Sequence, residues 1–492
     1  MRPRRFSRIG AVTAGIAVVA LLVVGGASAA TTINVPCTGQ SDLVAAVNAA
    51  NTAGGGTINL ARGCEYDLTG VDNSGENGLP VITTPIKVNG RDAIIDGTDS
   101  VRVFEVDGPT GSLSVHELTI TRGAADVGGG VANFGGTVSL SKTHVIRNSA
   151  VVAGAGIASA SITPTFAPSN TVATLTLSDC WIHANQQTEG PSPDPTQMGG
   201  LGGGGVLNLD GTATLEHTLV DHNTAQGGVG GGIASGDYIG FGGQTVLTVD
   251  HSGVNDNFAP NAGGGGIQNL LGSATISHSQ VDRNTSLNGG GISSGNQGSP
   301  HGSADLQVIH SQVNGNTATA GPGGEGPPIA AGGIANGSNA VISHSAVEHN
   351  TVPNGIGGGV VNHGMMTISH SEVNRNHASA SGVIGSGGGI VNAQGPPGTT
   401  PSVLTIDHSL VNHNTAGGDG GGIANGVPLP PGPPPLFGGD LTITHSQVIG
   451  NSAAQGGGIF NNGGTVTLAD TNVTGNVVDN CAPTNTIAGC TG

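Results

Sequence analysis

Eight histidines recur at one slot of a repeating unit: His217, His251, His278, His310, His344, His370, His408 and His445. Each precedes an Asn by six residues, as His278 precedes Asn284 and His344 precedes Asn350. If the units stack, these imidazoles form a row spaced ~5 Å apart, the separation of paired strands. Neutral imidazole suits borderline ions such as Zn²⁺ and Cu²⁺, so neighbours in the row are candidate metal ligands. Structural metal sites usually fix four ligands. A solvated, stacked row without metal is therefore the preferred reading, and no cofactor is expected.

A second candidate set lies early in the chain. Arg91, Arg102, Arg122 and Arg147 fall near Asp96, Glu105, Asp107, Glu117 and Asp126. Guanidinium groups can hold substrate carboxylates, and a carboxylate can act as a base. Arg91, Asp96, Glu105, Glu117, Arg122 and Arg147 are thus the candidates for catalysis. Surface charge alone is the competing reading. Directly before the repeated Asn runs a mixed column: Arg122, Arg147, His222, Asp256, Arg283, His349, Arg375 and His413. No Asp-Asp pair, Gly-His-Gly or Arg-Ile-Lys motif of pectin hydrolases is present.

These residues need a frame, and the repeat supplies it. Residues 274–284 (ATISHSQVDRN), 404–414 (LTIDHSLVNHN) and 441–451 (LTITHSQVIGN) align on their final Asn. Twelve copies follow, with Gly123 in the first Asn slot and Asn148 to Asn476 in the rest. Eight and three residues before the slot every copy is aliphatic, as in Ile276 and Val281 or Ile342 and Val347. Alternation of apolar and polar residues there reads as a strand with one buried face. A Gly-rich run and an aliphatic residue follow each Asn slot but the last, such as Ile267, Ile334 and Ile423. Asn or Ser stands two residues further on. The shortest copies leave no room for a helix and a strand. Units of about three short strands can bury their apolar faces only by stacking. The expected fold is all-β, a parallel β-helix of about twelve coils, roughly 58 Å long at ~4.8 Å per rung. Inward Asn side chains should bond along the rod, with Gly supplying the positive-φ corners.

Composition agrees with a solenoid rather than several ordinary cores. Of 492 residues 91 are Gly, and charged residues are 9 %. Net charge is −18, and four of the 13 basic residues are Arg2, Arg4, Arg5 and Arg8. That balance disfavours nucleic acid and anionic membranes. Residues 1–29 read as a secretory signal peptide, with an apolar run over 11–24 and Ala27-Ser28-Ala29 before the cut. No stable membrane span is expected after cleavage. Residues 30–70 form the expected N-terminal cap, with a short helix over 42–51 begun by Ser41. Residues 71–476 form the β-helix and 477–492 a C-terminal cap. Export allows disulfides, expected as Cys37 with Cys64 and Cys481 with Cys490. Cys180 is left as a buried thiol.

The Gly-Gly-Gly-Ile strokes with Val-x-x-Asn, as in Val281 to Asn284, resemble the repeats of polymorphic outer membrane proteins. Asp42-Leu43-Val44-Ala45-Ala46-Val47-Asn48-Ala49-Ala50-Asn51, then Gly56-Thr57-Ile58-Asn59-Leu60, resembles the opening of bacterial secreted right-handed β-helix proteins. The resemblance spans most of residues 32–476 and implies the right hand. Val stands where that family's repeat has Phe. The function expected is a secreted or cell-surface binding or structural protein without catalytic activity. The alternative is a polysaccharide-active lyase or hydrolase with its site in the first coils. An Arg with carboxylates clustered in one groove would favour the enzyme; uniform polar ladders would favour the scaffold. A polysaccharide or cell-surface component is the expected partner, and the chain is expected to be a monomer.

Overall fold

A computed structural model describes residues 31–72, 75–162, 171–188, 201–237, 245–295, 303–319, 330–379, 385–394, 402–428 and 436–490. The expected signal peptide and most of the Pro- and Gly-rich insertions lie outside these residues. The described chain is a parallel β-helix in which each strand pairs with its equivalent one coil away. The pairing follows the repeat alignment: Ile276 lies opposite Val308, Ile342 opposite Ile368, and Ile368 opposite Ile406.

A single coil shows how the sequence sets the geometry. Strand Gly272–Ser277 is followed by a corner at His278, then strand Gln280–Asp282 and a corner at Arg283 and Asn284. Strand Thr285–Asn288 leads through Gly289 to strand Ile292–Gly295. Most full coils therefore carry four strands rather than the three expected; the extra one is often two residues long, such as Thr317–Ala318. Alternate residues point inward, and Ile276, Val281, Ile292, Ile342 and Ile406 are fully buried. They belong to one continuous core running from Val35 to Ile487. A second buried cluster, including Phe134, Leu207 and Leu209, lies apart from it.

Polar ladders run inside the rod, one of them through the Asn or Ser after each Gly run, as from Asn336 to Asn362 and Asn392. Asn316 Oδ1 accepts the Asn284 backbone N–H at 2.8 Å and its Nδ2 at 3.0 Å. Asn316 Nδ2 donates to Val281 O and to Asn350 Oδ1. The same pattern carries from Asn148 to Asn476, so every buried amide in it has partners. Five residues before each Asn a hydroxyl ladder runs in parallel. Ser279 N donates to Ser311 Oγ at 3.1 Å and Ser311 N to Ser345 Oγ at 3.0 Å.

The corners correct one expectation. Gly was to supply the positive-φ residues, and it does so where the Gly run begins, as at Gly230 and Gly264. The other two corners are left-handed mostly at residues with side chains, Gly315, Gly450 and Gly475 being exceptions. The eight ladder histidines have φ of 46 to 51°, and Arg122, Arg147, His222 and Arg283 47 to 56°. His tolerates this region better than most residues do. The later glycines of each run serve close approach instead: a Cβ on Gly358 would lie 2.3 Å from Gly388 O.

At the N-terminus, strands Thr31–Val35 and Gly56–Leu60 already pair in parallel and extend the sheet before the first repeat copy. Helix Gln40–Thr52 buries Leu43, Ala46, Val47 and Ala50. Its N-cap position is Gly39 rather than Ser41, and no side chain caps it. The disulfides join Cys37 to Cys64 and Cys481 to Cys490, as expected. Cys180 takes a hydroxyl-ladder slot, is buried, and has its thiol pushed up to about 11, mainly by desolvation.

Candidate functional site

From His217 to His445 the histidine column is regular. The seven contacts between successive ladder rings have centroids 4.6 to 5.3 Å apart, most of them stacked. The coils before them are not regular, and the polar groups there converge.

The early candidates separate into tied and free groups. Asp96 is buried and takes Arg122 Nε on both oxygens, at 3.0 and 2.8 Å, and Arg122 Nη2 at 2.5 Å. Those contacts, led by the hydrogen bond to Asp96, raise the Arg122 pKa. Glu105 is buried against Arg102 in a short ion pair. Arg102 also binds Asn77 Oδ1 at 2.7 Å, Glu76 at 3.0 Å and Val127 O at 2.9 Å. Beside it Asp107 is pushed up to about 6, first by desolvation and then by Glu105. Glu76 and Asp126 line an open hollow of about 280 Å³ above this hub, with Ser100, Ser149 and Thr188. Glu117 sits at a left-handed corner, 3.3 Å from His116. Arg91 is exposed at another such corner. Arg147 is exposed, and its guanidinium has no hydrogen-bond or ion-pair partner among the described residues.

The most reactive grouping includes residues outside the early candidate set. Strands His144–Ile146, Trp181–His183 and Leu219–Asp221 are parallel neighbours, with His144 opposite Trp181 and His183 opposite Asp221. The pleat turns Trp181 and His183 to the same outer face. Asp221, 9 % exposed, accepts from Trp181 Nε1 at 2.6 Å and from His183 Nδ1 at 3.0 Å. Its other oxygen faces His222 Nδ1 at 3.1 Å. A carboxylate only accepts, so both imidazoles donate from Nδ1 and keep Nε2 free to take a proton. The rings of His144, Trp181, His183 and His222 form one strip, with successive centroids 5.5, 4.5 and 5.3 Å apart. Arg147, in the coil of His144, lies one coil from His183, its backbone N–H bonded to His183 O. The strip has an aromatic wall, two bases oriented by one carboxylate, and a nearby unpaired cation. His183, Asp221 and His222 also form a possible ligand set for a metal.

Of this group the sequence placed only Arg147 among the catalytic candidates and His222 in the mixed column. The missed signal was the single Trp of the chain, two residues from His183 on a strand, with Asp at the His183 slot one copy later.

No family model matches the chain, and no curated protein matches it in sequence. The likeness to polymorphic outer membrane proteins therefore stays a likeness of repeat residues. Among solved structures the chain is similar to the periplasmic alginate epimerase AlgG, at 10 % identity and TM-score 0.33, over 85 % of this chain and 76 % of that one. It is similar to the A-module of an Azotobacter vinelandii mannuronan C-5 epimerase, at 11 % and 0.35, over 90 % and 95 %. A mannuronic acid specific polysaccharide family 6 lyase from human gut microbiota matches at 10 % and 0.34, over 86 % and 82 %. The expectation of a scaffold without catalytic activity is corrected here. The similar structures are named as polysaccharide epimerases and a lyase. Within this chain the uniform ladders required of a scaffold give way in the early coils to clustered Arg, carboxylate and imidazole groups.

Proposed function

We propose that the chain is a polysaccharide-active enzyme acting at the strip of Trp181, His183, Asp221 and His222, with Arg147 binding an acidic substrate group. The observation that carries this reading is Asp221 holding Trp181 and two imidazoles at 2.6 to 3.1 Å on an open face. Pyranose rings pack their C–H faces on aromatic walls, and the strip is long enough to meet successive sugars. Arg147 would pair with a uronate carboxylate. That neutralisation acidifies the adjacent C–H, and His183 or His222 Nε2 would remove its proton. The C–O bond to the next sugar then breaks, a C=C bond forms, and a proton returns to the leaving oxygen. Lyase chemistry is favoured over hydrolysis because Glu105 and Asp96 are buried in ion pairs with Arg102 and Arg122. The two disulfides fit an oxidising, exported location. Among the described residues no helix is long and apolar enough to cross a membrane.

The test is a panel of uronate-containing and neutral polysaccharides, scored for unsaturated products and new reducing ends. Activity on a uronate polymer, reduced about 10²–10⁴-fold in His183→Gln or His222→Gln, supports the reading. Turnover of none of the panel, or full activity in both variants and in Trp181→Ala, overturns it.

A further inference from the structure

The His ladder contains the same three-residue grouping twice. Asp250 Oδ2 lies 2.8 Å from His251 Nδ1, and Asp250 Oδ1 lies 3.2 Å from His278 Nδ1 of the next coil. Five coils on, Asp407 lies 2.8 Å from His408 Nδ1 and 3.2 Å from His445 Nδ1. A hydroxyl of the next coil donates to each carboxylate at 2.6 Å, from Ser277 to Asp250 and from Thr444 to Asp407. The paired rings stand 4.7 and 4.6 Å apart. We propose that these two groups are binding sites for borderline divalent transition ions such as Zn²⁺ or Cu²⁺, each held by one carboxylate and two Nδ1 atoms.

The distances suit such an ion. Bonds of ~2.0–2.2 Å to nitrogen and oxygen place cis ligands about 3 Å apart. The present carboxylate–nitrogen separations are 2.8 and 3.2 Å. The ion would replace the two Nδ1–H donors, and the displaced protons would move to Nε2, since the imidazole side chains are half exposed. The hydroxyl keeps the carboxylate oriented, as outer-shell partners of metal ligands do. Water would complete the coordination. Two imidazoles with one carboxylate are a donor set that suits transition metals rather than Ca²⁺ or Mg²⁺.

The ladder carries its own control. The residues before His310, His344 and His370 are Ile309, Ser343 and Ser369, so no carboxylate serves those rings. Stacked rings alone then offer imidazoles without a carboxylate, a donor set short of the one at the two proposed sites. Glu216 lies 3.8 Å from His217, and Asp470 lies 3.6 Å from His445 Nε2. Each meets a single imidazole. The proposal does not rest on the polysaccharide reading, since the Asp221 group lies outside both sites.

The experiment is calorimetric titration of the full chain with Zn²⁺ and Cu²⁺ at pH 7.5, with Cu²⁺ electron paramagnetic resonance. Asp250→Asn with Asp407→Asn, and separately His278→Gln with His445→Gln, should each lose two equivalents relative to the unmodified chain. His310→Gln/His344→Gln/His370→Gln should lose none, and the Cu²⁺ spectrum should show two nitrogens per ion. Exposed positions make these changes compatible with folding, which circular dichroism checks. Equal stoichiometry in the unmodified chain and both double variants, or an equal loss in the triple variant, overturns the proposal.

Discussion

Asn316 lies in the middle of the Asn ladder and is fully buried. Replacing it with Ala removes the acceptor for two donors of Asn284, the backbone N–H at 2.8 Å and Nδ2 at 3.0 Å. Asn284 Nδ2 keeps Val254 O, but its backbone N–H loses its partner. Val281 O and Asn350 Oδ1 each lose one donor as well. A buried unsatisfied donor costs about 1–3 kcal/mol, and the partial losses add to it, so Asn316→Ala should cost roughly 3–5 kcal/mol. Asn476 makes the same bonds at the partly exposed end of the ladder, where water can replace the lost partners. Asn476→Ala should cost less than about 1.5 kcal/mol. Hydrogen exchange of the segment containing Asn284 is the direct assay, because a solenoid need not melt in one step. A loss of ~4 kcal/mol corresponds to exchange roughly 10³-fold faster. Equal costs at the two positions would refute the reasoning. So would unchanged protection of the Asn284 amide in Asn316→Ala.

Three further outcomes follow from other parts of the rod. Gly358→Ala should destabilise by at least about 3 kcal/mol, because the new Cβ meets Gly388 O at 2.3 Å; Gly475→Asn, with positive φ and open space, should be nearly neutral in the same thermal melts. At the His344 corner, φ 51°, Asn should stay within about 0.5 kcal/mol of His and Val should cost about 2 kcal/mol; an equal loss for both would mean that ring stacking rather than backbone strain sets the cost. Asp210 is 5 % exposed, and both its oxygens are unpartnered. Burial, then Asp237, push its pKa up to about 7. Its protonated form is the one the fold accepts, so its contribution is complete below pH ~4, the unfolded value, and is lost as pH rises through about 7. Asp210→Asn should therefore stabilise by about 2–4 kcal/mol at pH 8 and by nothing at pH 4, and identical differences at the two pH values would contradict this.

What the sequence makes legible is what repeats within one copy. Val281 and Ile276 announce a buried face by their alternation, and the invariant Asn announces an inward ladder because only stacking would satisfy it. The cysteine pairs are legible because each lies near one end of the chain. Three features are less accessible. The left-handed corners carry His and Arg, often two such residues in a coil, because the neighbouring rungs hold the backbone there. The strands after the Asn slots, many of them two residues long, are too short to announce themselves by alternation. The Trp181 group joins residues 37 to 41 apart in sequence, and only the register of His183 against Asp221 brings them together.

That register also explains why chemistry concentrates where it does. In a stacked solenoid each outward slot has two neighbours, one on either side, and in a perfect repeat these are identical. Identical neighbours give stacked rings, as from His310 to His370, or like charges that repel. They do not give an acid oriented against a base. Heterogeneity along a column is required, and it occurs where the copies diverge: Trp181 and His183 beside Asp221, Asp250 beside Ser277, Asp407 beside Thr444. In each case one carboxylate reaches residues of two coils because its own slot breaks the pattern of its column. The ladders keep the rod rigid, with backbone amides satisfied at every rung. A single substitution in an outer column can then create a site without altering the fold. The groups to test first are therefore those at which an outer column departs from its own consensus.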